Sequence, residues 1–192
     1  MPIELPYDRR EPIERAVVRL YEEYGVRSLP LDPFDLARNM KIDVVAYQNL
    51  TNDSSVLKTL EQTSGDGFTL FDPSRMRYRI LYNSDYSAAS MTRRRFTIAH
   101  EIGHIWLEHS DSSRNELEAD YFAGYLLAPH PLILRLQLEA WQLQGLFEIS
   151  YPAAQRAHRQ AHQRLAQWLS DPRRTYRHHE HWILDNMTLY AR

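Results

Sequence analysis

Two histidines and a glutamate in the string HEIGH, at positions 100–104, have the residue types and spacing of a metal-dependent hydrolytic site. Residues four apart on an α-helix lie about 40° from each other around the axis, so His100 and His104 share one face. Two neutral imidazoles in that arrangement can bind a single Zn²⁺. Glu101 lies about 100° round the helix, where it can reach a water held by the metal. The pattern therefore predicts His100 and His104 as ligands and Glu101 as the catalytic base.

The neighbours of this string are mostly apolar, which favours a metal site over a solvated helix that merely carries two histidines. Burying two unliganded histidines and a glutamate in such a setting would be costly. Gly103 costs about 1 kcal/mol relative to alanine inside a helix. A glycine at that position predicts that another backbone or a substrate packs closely against the turn.

The third ligand is expected to be a carboxylate, because the chain has no cysteine. Glu116 and Asp120 are four residues apart and share a helix face, whereas Glu118 points about 200° away from Glu116. One arrangement uses Glu116 as the ligand and Asp120 as the acceptor for the second ring N–H of a ligand histidine. The E-x-x-x-D spacing is that of thermolysin-like zinc peptidases. Alternatively, these acids only stabilise the N-terminus of a helix.

The elements that must position these residues are mostly helices. Periodicity and capping signals predict helices over 11–24, 33–39, 92–109, 115–127, 132–144 and 151–169, and strands over 42–47, 68–71 and 77–82. In the last strand, Tyr78, Ile80 and Tyr82 alternate with arginines, which predicts one buried face. Residues 49–63 and the tail after 171 are not assigned.

Size and composition indicate one domain over 1–170 with an extension of unknown role over 171–192. The chain has 192 residues, 43% of them hydrophobic, and a net charge of −2, which does not favour nucleic acid or a membrane as a partner. The N-terminus has no apolar segment typical of a secretory signal, so a cytoplasmic location is expected. In the extension, we expect His178, His179 and His181 to be exposed.

The strings FTIAHEIGHIWLEH (96–109) and ELEADYFAGYLLAP (116–129) resemble the ImmA/IrrE family of metallopeptidases. The resemblance covers about residues 10–132. It implies an α+β, mostly helical, zincin-like domain with a small antiparallel or mixed sheet. It also implies zinc on His100, His104 and Glu116, with Glu101 as the base. Glu118 stays open as the third ligand, because the family pattern holds two glutamates here.

The resemblance further implies a cytoplasmic endopeptidase that cleaves a helix-turn-helix repressor or a similar regulator and so relieves repression of mobile-element, phage or stress-response genes. This chain has no evident helix-turn-helix segment, so the repressor is expected to be a separate protein. Zinc is expected as the metal, with Mn²⁺ or Fe²⁺ possible through cellular availability. The alternative is a non-enzymatic, metal-binding regulatory or antitoxin-type module. Four residues are conceivable oxyanion donors: Tyr121, Tyr125, His130 and Tyr151.

Overall fold

The α+β class predicted from the sequence is confirmed by a computed structural model, which describes residues 5–84, 91–109, 113–171 and 175–190. The helices are α1 (Tyr7–Glu23), α2 (Pro33–Asn39), α3 (Ser54–Thr63), α4 (Met91–Trp106), α5 (Ser113–Leu127), α6 (His130–Leu136), α7 (Ala140–Leu146), α8 (Tyr151–Ser170) and α9 (His178–Asn186). The strands are β1 (Ser28–Leu29), β2 (Asp43–Ala46), β3 (Gly67–Asp72), β4 (Arg77–Tyr82) and β5 (Thr188–Leu189). In the described part of the chain, no helix has the length and apolarity that crossing a membrane requires.

The chain forms two compact units, one contiguous and one discontinuous in sequence. The contiguous unit spans Asp32–Ala123, and the discontinuous unit combines Met1–Leu31 with Gly124–Arg192. The contiguous unit holds a mixed sheet of order β2-β4-β3, in which β2 runs parallel and β3 antiparallel to β4. Helix α4 packs against β3 and β4. This sheet is therefore the support on which the helix of the HEIGH string rests.

The predicted alternation of buried and exposed residues along β4 is wrong. Tyr78 is 40% exposed, whereas the consecutive residues Ile80 and Leu81 are 0% and 5% exposed. Consecutive residues of a strand point to opposite faces, so the burial of both Ile80 and Leu81 means that both faces of the sheet are covered at this point. Burial on two faces removes the period of two that a half-exposed strand shows.

The single helix predicted over 132–144 is also wrong, because the chain turns between α6 and α7 in the discontinuous unit. Gln137 adopts a left-handed conformation with φ +51°. Leu138 N–H then bonds to Ile133 O over 3.2 Å, which closes the end of α6. Helix α7 begins after Glu139, whose side chain and that of Gln142 form a capping box. No glycine or proline marks this break in the sequence.

A buried network of ion pairs holds α9 in the discontinuous unit. His179 Nε2 lies 3.0 Å from Glu14 Oε2 on α1, and Arg164 on α8 donates to both carboxylate oxygens of Glu180 over 2.7 and 2.8 Å. His179 is 4% exposed, so the expectation of an exposed histidine at this position is wrong. Buried charges need such partners because their desolvation is costly. The network makes α9 part of the core of this unit.

Candidate metal centre

Helices α4 and α5 bring His100, His104 and Glu116 together in the contiguous unit. The Nε2 atoms of the two histidines are 3.0 Å apart. Glu116 Oε2 lies 3.3 Å from His100 Nε2, and its Oε1 lies 3.3 Å from His104 Nε2. The three residues predicted from the sequence are therefore neighbours in space, and their role as ligands stays a prediction.

The two imidazole nitrogens and the Glu116 carboxylate, each of whose oxygens faces one histidine, have spacings that fit a tetrahedral zinc ion. Ligand atoms at ~2.0–2.1 Å from zinc and at tetrahedral angles lie about 3.3 Å from one another. The distances of 3.0, 3.3 and 3.3 Å match this value closely. Two neutral imidazoles and one carboxylate are also a usual donor set for catalytic zinc, and three protein ligands leave a fourth position for water or substrate.

Asp120 lies where the E-x-x-x-D spacing predicts, beside the first histidine. Its Oδ1 is 3.0 Å from His100 Nδ1. An ionised carboxylate can only accept a hydrogen bond, so His100 donates through Nδ1–H, and when the ring is neutral the lone pair is on Nε2. This orientation presents Nε2 of His100 to the donor cluster.

The two clustered histidines have pKa values shifted in opposite directions. Burial lowers the pKa of His100, but the hydrogen bond to Asp120 and the charges of nearby carboxylates outweigh it and raise that pKa above its usual range. Burial and the charge of His100 lower the pKa of His104 to about 4. Two imidazoles at this separation cannot both hold a positive charge, and His100 has the carboxylate partner. His104 is therefore neutral near pH 7, as a metal ligand must be.

Glu118 does not join the donor cluster, although the sequence left it open as the third ligand. Within the portion of the chain that the structure describes, the group of potential ligands at this site contains Glu116 and not Glu118. Glu118 Oε2 instead lies 3.3 Å from His109 Nε2. His109 Nδ1 in turn lies 3.1 Å from His104 Nδ1. The sequence reasoning missed His109, which falls just beyond the end of α4.

Glu101 is buried beside the cluster, with 6% of its surface exposed. The hydroxyl of Thr69 on β3 donates to Glu101 Oε2 over 2.8 Å. Burial raises the pKa of Glu101 above its usual range, and the Thr69 hydrogen bond and the charge of His100 oppose this rise only in part. A carboxylate with a raised pKa accepts a proton more readily, which suits a general base. Thr69 is a second residue that the sequence reasoning missed.

The cluster opens into a cleft of about 840 Å³ within the contiguous unit. Besides the polar residues, the cleft is lined by aromatic side chains, namely those of Phe68, Phe71, Tyr78 and Phe96. None of the four conceivable oxyanion donors is among the described residues that line it. Tyr121, Tyr125 and His130 are 4%, 1% and 2% exposed, and Tyr151 is 46% exposed.

Gly103 lies close to the side chain of Phe122 on α5, which supplies the three atoms nearest to the position of an added Cβ. A Cβ at this position would lie 2.9 Å from Cδ1 of Phe122 on α5. Phe122 is fully buried, so its ring has little room to shift. The glycine therefore allows α4 and the ring of Phe122 to approach closely.

A second set of potential ligands, Glu14, His179 and Glu180, belongs to the ion-pair network of the discontinuous unit. Arg164 occupies both oxygens of Glu180, and Arg177 Nη1 lies 3.8 Å from Glu14 Oε2. These cations already balance the two carboxylates. The set is therefore a structural network rather than a metal site.

Comparison with known proteins agrees with the geometry of the site. A family model described as the IrrE N-terminal-like domain, a peptidase family, matches residues 45–159. This span includes the HEIGH string and the acids of α5, and it extends further towards the C-terminus than the resemblance noted in the sequence.

Among curated proteins, none matches this sequence. A solved structure of a Mycobacterium tuberculosis transcriptional regulator is similar, with a TM-score of 0.46 and 21% sequence identity over 77% of this chain and 48% of the regulator. The chain thus spans about half the length of that regulator.

Proposed function

The chain belongs to the peptidase family described as the IrrE N-terminal-like domain, and on that premise we propose that it is a zinc-dependent endopeptidase. The observation that carries the proposal is the triangle of His100 Nε2, His104 Nε2 and the Glu116 carboxylate, with sides of 3.0 to 3.3 Å. The buried carboxylate of Glu101 lies on the turn between the two histidines. We propose His100, His104 and Glu116 as the metal ligands and Glu101 as the catalytic base.

In the proposed reaction, the metal activates water and the peptide carbonyl, and Glu101 transfers the proton. Zinc, when bound, would lower the pKa of a coordinated water and polarise the peptide carbonyl. Glu101 takes the proton from the attacking water and passes it to the amine of the leaving peptide. Thr69 holds one oxygen of Glu101, so the carboxylate stays oriented during the transfer.

The position of strand β3 beside the histidines favours a polypeptide as the substrate. In the described part of the chain, β3 is an edge strand that pairs with β4 and with no other strand. Phe68, Thr69 and Phe71 on this strand line the cleft beside the histidines. An extended peptide can bind an open strand edge through backbone hydrogen bonds. The aromatic lining favours an apolar side chain next to the bond that is cleaved.

The proposed substrate is a helix-turn-helix repressor or a similar regulatory protein, in a cytoplasmic setting. Support comes from the resemblance of the strings at 96–109 and 116–129 to peptidases of this kind. Cleavage would relieve repression of the genes that the repressor controls. We propose that the chain acts on this protein without binding nucleic acid directly.

The experiment compares the wild type with Glu101→Gln and with Glu61→Gln, whose glutamate lies exposed on α3 of the same unit. Each protein is loaded with zinc and incubated with a candidate repressor and with a fluorogenic peptide library. We expect Glu101→Gln to bind zinc and to lose about 10²- to 10⁴-fold in cleavage rate, and Glu61→Gln to match the wild type. Equal cleavage by Glu101→Gln would refute the assignment of the base. Zinc binding without cleavage of any probe would favour the non-enzymatic module.

A further inference from the structure

The side chains of Glu118, His109 and His104 form a chain of hydrogen-bonding groups that leads from the interior to the candidate metal site. Glu118 Oε2 lies 3.3 Å from His109 Nε2, and His109 Nδ1 lies 3.1 Å from His104 Nδ1. The side chains of His109 and Glu118 are only 7% and 9% exposed. Water therefore competes little for these contacts. We propose that His109, held by Glu118, is a positioning residue that fixes the tautomer and ring orientation of His104.

The chemistry of the three groups determines where each proton lies. The carboxylate of Glu118 can only accept, so His109 donates to it through Nε2–H. A neutral His109 then has a lone pair on Nδ1, which accepts from Nδ1–H of His104. Nε2 of His104 is left with its lone pair on the side of the ring that faces the donor cluster, where a metal would bind. His109 thus fixes the tautomer and orientation of the His104 ring, as Asp120 does for the ring of His100.

The turn that ends α4 holds His109 in place through the backbone as well. Glu108 adopts a left-handed conformation with φ +53°, and its N–H bonds to Ile105 O over 3.2 Å. The N–H of His109 bonds to His104 O over 3.0 Å. These two bonds form a Schellman motif, in which the chain reverses beyond the last helical turn. The motif brings the ring of His109 back to that of His104, with ring centroids 5.1 Å apart.

A purely structural role for the pair of His109 and Glu118 makes different predictions. A buried pair that only stabilises the fold leaves the tautomer of a correctly folded His104 unchanged. A positioning role requires that His104 carry its proton on Nδ1 before any metal binds. It also requires that an acceptor placed at the position of His109 Nδ1 be enough to preserve that tautomer.

The first experiment reads the tautomer of His104 in the metal-free protein by long-range ¹H–¹⁵N NMR at about pH 8, where imidazoles are mostly neutral. We expect the Nδ1–H tautomer in the wild type and in His109→Asn, whose Oδ1 can replace Nδ1 as the acceptor. We expect a mixture of tautomers in His109→Ala and in Glu118→Gln, whose amide can donate as well as accept. A wild type with the proton on Nε2, or an unchanged tautomer in a folded His109→Ala, overturns the proposal.

The second experiment rests on the proposed function and measures zinc affinity by competition with a chelator. We expect His109→Ala to bind zinc about 10- to 100-fold more weakly and His109→Asn to recover most of this loss. His158→Ala, which removes a histidine of the discontinuous unit, serves as the control and is expected to match the wild type. Wild-type affinity in a folded His109→Ala overturns the inference. A wild type that binds no zinc refutes the proposed function, and the tautomer measurement then still decides the role of His109.

Discussion

The hydroxyl of Thr69 donates a hydrogen bond to Oε2 of Glu101 over 2.8 Å, and this bond ties the candidate base on α4 to the edge strand β3. The bond favours the ionised carboxylate, whereas burial of Glu101 favours the protonated form and dominates. The two effects together set the pH at which Glu101 can act as a base.

Replacing Thr69 by valine removes this hydroxyl with little change of shape. The pKa of Glu101 is expected to rise further, because the effect that opposes burial is lost. The base must be ionised to act, so the acidic limb of kcat/KM should move to higher pH. The measurement is a pH profile of cleavage with the fluorogenic peptides. Thr69→Ser retains the hydroxyl, so the acidic limb of its pH profile should lie at the same pH as that of the wild type. An acidic limb that does not move in Thr69→Val would contradict the prediction.

Replacing Asp120 by asparagine should weaken zinc binding about 10- to 100-fold. The carboxylate lies 3.0 Å from His100 Nδ1 and can only accept, whereas an amide can also donate and so no longer specifies the tautomer. Chelator competition checks the prediction. Asp185→Asn changes an exposed aspartate on α9 and should leave the affinity unchanged. Similar affinities in the two variants would mean that Asp120 does not orient His100.

Replacing Gly103 by alanine should lower the free energy of unfolding by about 1–3 kcal/mol, because the added methyl group overpacks the interior. The new Cβ would meet Phe122 Cδ1 at 2.9 Å, and this clash outweighs the gain in helix propensity. Gly145→Ala on α7 is a matched control, since its added Cβ would have no atom within 4 Å apart from its chain neighbours and the backbone of its own helix. That variant should gain up to about 1 kcal/mol. Urea denaturation of both variants tests the prediction, which requires that the two changes have opposite signs.

His130 should make the protein less stable in mild acid. Its pKa is lowered from 6.5 to about 4, chiefly by burial and also by the charge of Arg10, while Glu14, Gln160 and Glu180 act in the opposite direction. Because the folded pKa is depressed, the stability is fully present above about pH 6.5 and is lost as the pH falls towards 4.

The loss should approach about 1.4 kcal/mol per pH unit within this window. His130→Gln should reduce the dependence of the free energy of unfolding on pH, measured by urea denaturation at several pH values. Part of the dependence should remain, since the pKa of His104 is lowered as well. An unchanged slope in His130→Gln would contradict the assignment.

The sequence was most informative where function depends on the period of a helix. The spacing of His100 and His104, and that of Glu116 and Asp120, determines which side chains share a face, because 3.6 residues make one turn. Residues placed by local geometry could therefore be predicted. The N-caps of α2 and α8 are also local: the side chains of Asp32 and Ser150 accept hydrogen bonds from backbone N–H groups two and three residues further along the chain.

The residues that were missed depend on contacts that a local pattern does not contain. Thr69 meets Glu101 only because β3 packs against α4. His109 meets His104 only because the left-handed Glu108 reverses the chain, and glutamate is not a residue that signals such a conformation. His109 lies three residues beyond the end of α4, in a segment that periodicity predicts as helix, so nothing in the local pattern indicates its contact with His104. The break at Gln137 likewise has no glycine or proline to mark it.

The pairing of Ser28 with Thr188 means that the discontinuous unit cannot be completed before residue 188 has been synthesised. The contiguous unit ends at Ala123, so a nascent chain contains all of its residues, including the candidate zinc ligands, long before β5 is made. Domains generally fold as units during translation. We therefore expect residues 32–123 to become protease-resistant, and able to load zinc, on ribosome-bound chains that still lack α8 and α9. Resistance that appears only after the full chain is released would contradict this order.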